Sequence, residues 1–130
     1  MASETEIQKA GMAYCDDDPR VLSIERTQSG KVKVRGGWMN LCREGTPDTM
    51  GVAVDGRGIL IEYKTVEAWD EKNHGASKDQ LRRLREAYNA GCYAGIACTV
   101  GHVDLILKGE PVGLGLKSRE KSSDLKFTPV

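Results

Sequence analysis

Apolar positions fall at helical spacing in two stretches of this 130-residue chain and alternate in several others. Ile7, Ala10, Gly11 and Tyr14 repeat at three and four residues, behind a Ser3/Glu6 pair with the spacing of a capping box. This predicts a helix that "DDDP" at 16–19 brings to an end. "RVLSIERTQSGKVKVR" alternates around a Ser-Gly pair and predicts a hairpin turning at Gln28 to Gly30. "GGWMNLCREG" reads as a loop anchored by Trp38 and Leu41. "DTMGVAV" and "GILIEYK" read as two strands joined by "DGR", because Asp-Gly between apolar runs favours a tight turn. "TVEAWDEKNHGA" is a polar loop. Ser77 and Gln80 form a second capping box, Leu81, Leu84 and Tyr88 a second apolar stripe, and Gly91 stands where a helix takes a left-handed residue to stop. "CYAGIACTV" is a buried strand and "HVDLILK" a short helix. The order helix, three strands, helix, strand predicts an α/β sandwich with a mixed sheet.

Alternation places Leu60, Glu62 and Lys64 on one face of their strand and Ile59, Ile61 and Tyr63 on the other. Whether Asp48, at the start of the partner strand, joins the charged face depends on the turn. A three-residue loop over Asp55 to Arg57 pairs Val54 with Gly58 and sets Asp48 opposite Lys64. A two-residue loop sends Asp48 to the other face, since a slip of one residue inverts every side chain. If they meet, two carboxylates and a backbone carbonyl, that of Tyr63, form an oxygen-donor set for Mg²⁺. Lys64 is then placed to orient a water and offset negative charge, chemistry suited to phosphodiester hydrolysis. Glu62 and Lys64 could equally form a surface ion pair of little energetic weight, and Asp48 could merely follow a proline turn.

Composition leaves the partners open. The 19 basic and 19 acidic residues cancel, although basic residues gather at 31–35, 78–85 and beyond 108. Four cysteines, at 15, 42, 92 and 98, lack metal-ligand spacing and are expected as reduced, mostly buried thiols. The chain has no apolar run of membrane-spanning length, and its polar, acidic start is unlike a signal peptide, so a cytoplasmic setting without membrane contact is expected. Arg82 and Glu86 fit a solvated helical pair. Trp69 and His74 sit in the polar loop with no specific role assigned.

Pro47-Asp48 followed by Glu62-Tyr63-Lys64 resembles the PD-(D/E)XK nuclease motif. Together with "SETEIQKA", "ERTQSGKV", the Ser77/Gln80 helix start and "AGCYAGIACTVGHVDLIL", the pattern over about residues 3 to 107 is similar to the VRR-NUC branch of that superfamily, seen in phage proteins and eukaryotic repair nucleases. The resemblance implies a restriction-endonuclease-like αβββαβ core over 1–108, with a basic tail at 109–130. It implies metal ligation by Asp48, Glu62 and the Tyr63 carbonyl, a catalytic Lys64, and Gln80 near the site. It also implies a helical glutamate, with Glu4 preferred over Glu6 because Glu6 has its own capping role. Arg26 remains open as a DNA contact. The function implied is a Mg²⁺- or Mn²⁺-dependent endodeoxyribonuclease acting on branched DNA such as Holliday junctions, as a homodimer in a phage or bacterial host cytosol. A nickase, flap or restriction-like nuclease, or a catalytically silent nucleic-acid-binding module of the same fold, are the alternatives.

Overall fold

The computed structural model describes residues 1–27, 31–40 and 44–119, with the backbone alone over 31–34 and 37–40. Helix α1 spans Glu4–Asp16, α2 Lys78–Asn89 and α3 Val100–Leu107; the strands are β1 Val21–Arg26, β2 Lys31–Val34, β3 Gly37–Asn40, β4 Thr49–Ala53, β5 Gly58–Tyr63 and β6 Tyr93–Ala97. Both predicted capping boxes are present, with Ser3 and Ser77 accepting from the backbone of Glu6 and Gln80 and each N3 side chain bonding back. Such caps satisfy helix-end N–H groups that would otherwise lack a partner, each at about 1 kcal/mol. Gly91 follows α2 at φ 109°, as the sequence predicts.

The main sheet has the order β1-β4-β5-β6 and is mixed: β1/β4 and β4/β5 are antiparallel, β5/β6 parallel. Strand alternation sorts the core into two layers. Ile59, Ile61 and Tyr63 of β5 pack with Ile24, Ala53 and Ala97 against α1 and α3, through Ile7, Cys15, Val103, Ile106 and Leu107. On the opposite face Leu60, Ala94 and Ile96 meet Leu81, Leu84 and Tyr88 of α2, and fully buried Leu114 from the segment after α3 closes that layer. Burying each of these larger side chains stabilises the fold by roughly 1.5–3 kcal/mol. Tyr63 fits under α1 only because residue 11 is glycine, since a Cβ there would run into the Tyr63 ring. Among the described residues, no helix is long and apolar enough to cross a membrane.

Two sequence expectations need correction. Strand β1 does not pair with β2. It pairs with β4 across the chain, while β2 pairs with β3 in a separate two-stranded sheet. The region of Trp38 is therefore strand, not loop; the Trp38 side chain, Leu41 and the turn at Gln28 to Gly30 lie outside the described residues. Alternation marks a strand but does not name its partner, and Ile24 of β1 stands beside Gly51 of β4.

The second correction is register. The β4–β5 connection is an odd loop, but its three residues are Val54, Asp55 and Gly56. The Ala53 N–H donates to the Arg57 carbonyl (2.8 Å) and the Gly56 N–H to the Ala53 carbonyl (2.9 Å). Gly56 sits at φ 89°, the left-handed third position of a type I turn with a bulge, where glycine bears no steric cost. Val52 therefore faces Gly58 and Thr49 faces Ile61, which carries Asp48 to a place beside Glu62, not Lys64. The loop keeps the parity, so the charged side chains keep their common face.

Candidate metal centre

The end of β5, the start of β4 and the first turns of α1 and α2 converge at one end of the two central strands of the sheet. Ligand oxygens of Glu4, Asp48 and Glu62 all lie within 4.8 Å of one another, the one such His/Cys/Asp/Glu group among the described residues. Glu62 is almost fully buried at 1% exposure, Asp48 is half-buried and Glu4 is exposed.

Each element contributes by a definable contact. Thr27, just past β1, fixes the Pro47–Asp48 backbone: its N–H donates to the Asp48 carbonyl (2.9 Å) and its hydroxyl to the Pro47 carbonyl. The two strand carboxylates are laced to the backbone in a reciprocal pair. The Asp48 N–H donates to Glu62 Oε2 (3.1 Å) and the Tyr63 N–H donates to Asp48 Oδ2 (2.9 Å). Lys64 Nζ lies 3.6 Å from Glu62 Oε1. Gln80 divides its amide, the oxygen accepting from the Ser77 N–H (3.0 Å) and the nitrogen donating to Glu62 Oε1 (3.1 Å). Its capping role and its place beside the acids thus coexist.

Glu6 does not join them; its carboxylate accepts from the Ser3 hydroxyl (3.1 Å) at the α1 cap. Tyr63 faces the cluster by its backbone alone, because its ring points into the α1 layer. Arg26 is exposed at the end of β1, and Arg82 is paired on the α2 surface with Asp79 (3.4 Å) and Glu86 (3.8 Å). A groove along α2, lined by Asn73, Lys78, Leu81, Arg82 and Arg85, shares no residue with the acidic cluster.

Burial and crowding of like charge govern the protonation. Desolvation first, then the neighbouring Asp48 carboxylate, push the Glu62 pKa up to about 8, with Lys64 pulling the other way. Desolvation likewise raises Glu4, with Lys64 opposing and Asp48 adding to the rise. Carboxylates held together against their own repulsion can be relieved by a proton or by a cation. The donors are all carboxylate oxygens, a hard set suited to Mg²⁺ or Mn²⁺.

No family model, curated protein or solved structure matches this chain. The geometry of the site therefore bears the functional argument by itself.

Sequence reasoning assigned Trp69 and His74 no role and did not foresee their ring contacts. Trp69 is stacked between His74 and His102, with ring centroids 3.8 and 4.3 Å away. The first two share the loop after β5, but His102 comes from α3, and local pattern carries no signal of that contact. Cys15, Cys92 and Cys98 are free thiols; Cys42 lies outside the described residues.

Proposed function

We propose that the protein is a divalent-metal-dependent endodeoxyribonuclease of the PD-(D/E)XK type, similar to the VRR-NUC branch, that hydrolyses branched DNA such as a Holliday junction. The observation that carries this reading is the convergence of Glu4, Asp48 and Glu62 within 4.8 Å, with Lys64 Nζ 3.6 Å from Glu62. Further support comes from the order α1-β1-β4-β5-α2-β6, which is the αβββαβ succession of a restriction-endonuclease-like core once β2–β3 is set aside as an insertion.

Asp48, Glu62 and Glu4, with the Tyr63 carbonyl, are the groups that would hold Mg²⁺ or Mn²⁺. When bound, the cation supplies a water of lowered pKa and positive charge beside the scissile phosphate. Lys64 orients the attacking water and offsets the negative charge that grows on the phosphoryl oxygens. Gln80 keeps Glu62 aimed by holding one of its oxygens, and the backbone N–H groups of Asp48 and Tyr63 fix the other carboxylate contacts. Attack forms one P–O bond and breaks one ester P–O bond; the attacking water gives its proton to solvent and the leaving alkoxide takes one up. A junction has two equivalent strands to cut and the described residues of each chain hold one such acidic cluster, so the proposal includes a homodimer. Phosphate contacts from basic residues give binding a steep dependence on salt.

The test is incubation of the purified chain with four-way junction, flap, nicked duplex and single-stranded DNA in Mg²⁺, Mn²⁺ or EDTA. Paired symmetric cuts in the junction, absent in EDTA and in Lys64→Ala, are expected. Cutting at flaps or nicks in place of junctions would replace the substrate but keep the nuclease. Binding without cutting under every metal would overturn it.

A further inference from the structure

Lys64 and Gln80 reach Glu62 from the two ends of one connecting segment, residues 65–76, whose regular structure is two 3-10 turns, Glu67–Asp70 and Lys72–Gly75. What holds this segment is the stack at its middle. The Trp69 ring lies between the imidazoles of His74, tilted by 16°, and His102, tilted by 26°. Each imidazole is turned by a bond at Nδ1. His74 Nδ1 is 2.6 Å from the Trp69 carbonyl, which can only accept, so this nitrogen carries a proton. His102 Nδ1 is 3.1 Å from the Cys98 N–H, which can only donate, so this nitrogen carries none and the ring is neutral.

The backbone tells the same story. Asn73 and His74 adopt φ 54° and 55°, left-handed values that are strained for residues with a Cβ and that persist where surroundings over-determine them. The stack and the bond at His74 Nδ1 provide that restraint. The turn at Gly113 closes over it: a Cβ there would sit 3.2 Å from His74 Cδ2 and 3.3 Å from Trp69 Cη2. The tie to the acidic cluster is short. The Lys64 N–H donates to the Ala97 carbonyl (3.0 Å), and the next residue, Cys98, supplies the N–H that turns His102. His74 stands three residues before Ser77, the α2 cap that shares Gln80 with Glu62.

We propose that the His74–Trp69–His102 stack is a positioning clasp for the site, closed only while His102 is neutral, which holds Lys64 and Gln80 in place about Glu62. Its consequence for hydrolysis rests on the nuclease reading; the clasp itself does not. The groups facing His102 are Cys98, with Sγ 3.4 Å from Nδ1, and His74 across Trp69. On its own helix, Asp104 is engaged by Arg20 and Lys108. A proton on His102 Nδ1 would displace the Cys98 N–H and set a cation near His74. Burial, then His74, hold the His102 pKa below the ordinary 6.5. The open form therefore binds the proton more readily than the closed one, and acid drives the clasp open.

The experiment is an NMR titration of the full chain from about pH 8 to about pH 5, following imidazole carbons and backbone amides. His102 is expected to titrate below 6.5. At its midpoint the ring-current shift on His74 should collapse and amides of 66–76 should exchange faster, while Ile59 and Ile61 stay protected. Trp69→Leu should remove the shift and the loop protection at every pH. His102→Asn keeps an acceptor for the Cys98 N–H but has neither a ring to stack nor a site to protonate, so loop exchange should be faster than wild type at neutral pH and no longer change in acid. His102 titrating at 6.5 with unchanged ring currents, or loop protection in Trp69→Leu equal to wild type, would overturn the clasp. If cleavage is observed and survives Trp69→Leu while the loop loosens, the positioning role is overturned. These spectra decide the clasp whether or not the wild type cuts DNA, so failure of the nuclease reading is seen separately.

Discussion

Two charge clusters on this molecule are built on opposite terms. At one, Arg20 bridges Asp18 (2.7 Å) and Asp104 (2.8 Å), and Lys108 adds a second cation to Asp104 (2.8 Å). Two acids meet two bases, tying the end of α1 to α3. Lys108, Arg20 and the Tyr14 hydroxyl hold the Asp104 pKa down to about 2, and hydrogen bonds from Arg20 lower Asp18. At the other, Glu4, Asp48 and Glu62 share one nearby cation among the described residues, Lys64, and the most buried acid is pushed up, not down. The first cluster is complete as a structural tie. The second holds more negative charge than its surroundings offset, and it lies where the sheet and two helix N-termini meet. On the proposed reading, a divalent cation would complete it.

Substitutions should separate the two. Asp48→Asn or Lys64→Ala is expected to lower DNA hydrolysis by roughly 10²–10⁴-fold, read from single-turnover rates on a junction, with the fold intact by circular dichroism. Arg20→Ala should leave the hydrolysis rate unchanged but lower stability by about 1–3 kcal/mol in denaturant titration, because Asp18 and Asp104 lose their shared donor. Glu62→Gln should abolish cleavage and remove the alkaline loss of stability, because the amide cannot ionise, while giving up one of the two bonds Glu62 accepts, from the Asp48 N–H or the Gln80 amide.

The same asymmetry sets a pH dependence. Folded Glu62 holds its proton up to about 8, against an ordinary 4.5, so between those values the folded chain binds more protons than the unfolded one. Stability in EDTA should therefore fall as pH rises through that window. The fall should flatten in Mg²⁺ and vanish in Glu62→Gln, as a thermal-melt series would show. Asp104 has the opposite sign: its stabilisation is present above the ordinary 3.8 and is lost as pH falls toward 2. At the small end, Arg82→Ala should change stability by no more than about 0.5 kcal/mol, because its partners are solvent-exposed.

Features set by neighbouring residues could be read before the fold was seen. Ser3/Glu6, Ser77/Gln80 and Gly91 mark helix ends through bonds and backbone angles that span a few residues, and each is present in the fold. The shared face of Asp48 and Glu62 was legible only as a condition, an odd loop, which the turn at Val54 to Gly56 meets. Their pairing was not, since Asp55-Gly56 is compatible with more than one turn and Gly56 took the left-handed third position. The β1–β4 pairing and the His102–Trp69 stack join segments far apart in sequence, so no window of local pattern contains both partners. The place of Glu4 at the cluster was reached by assigning Glu6 to its cap, and the Glu6–Ser3 bonds bear that assignment out.

The central claim is that the unbalanced carboxylates form a divalent-cation site. Calorimetric titration of Mg²⁺ and Mn²⁺ into the wild-type chain and Asp48→Asn, in two buffers of different ionisation enthalpy, tests it directly. The account predicts one site per chain, proton release on binding near neutral pH as Glu62 gives up its proton, and affinity weakened about 10-fold or more in Asp48→Asn. No binding in the wild type, or equal binding in both proteins, would contradict it.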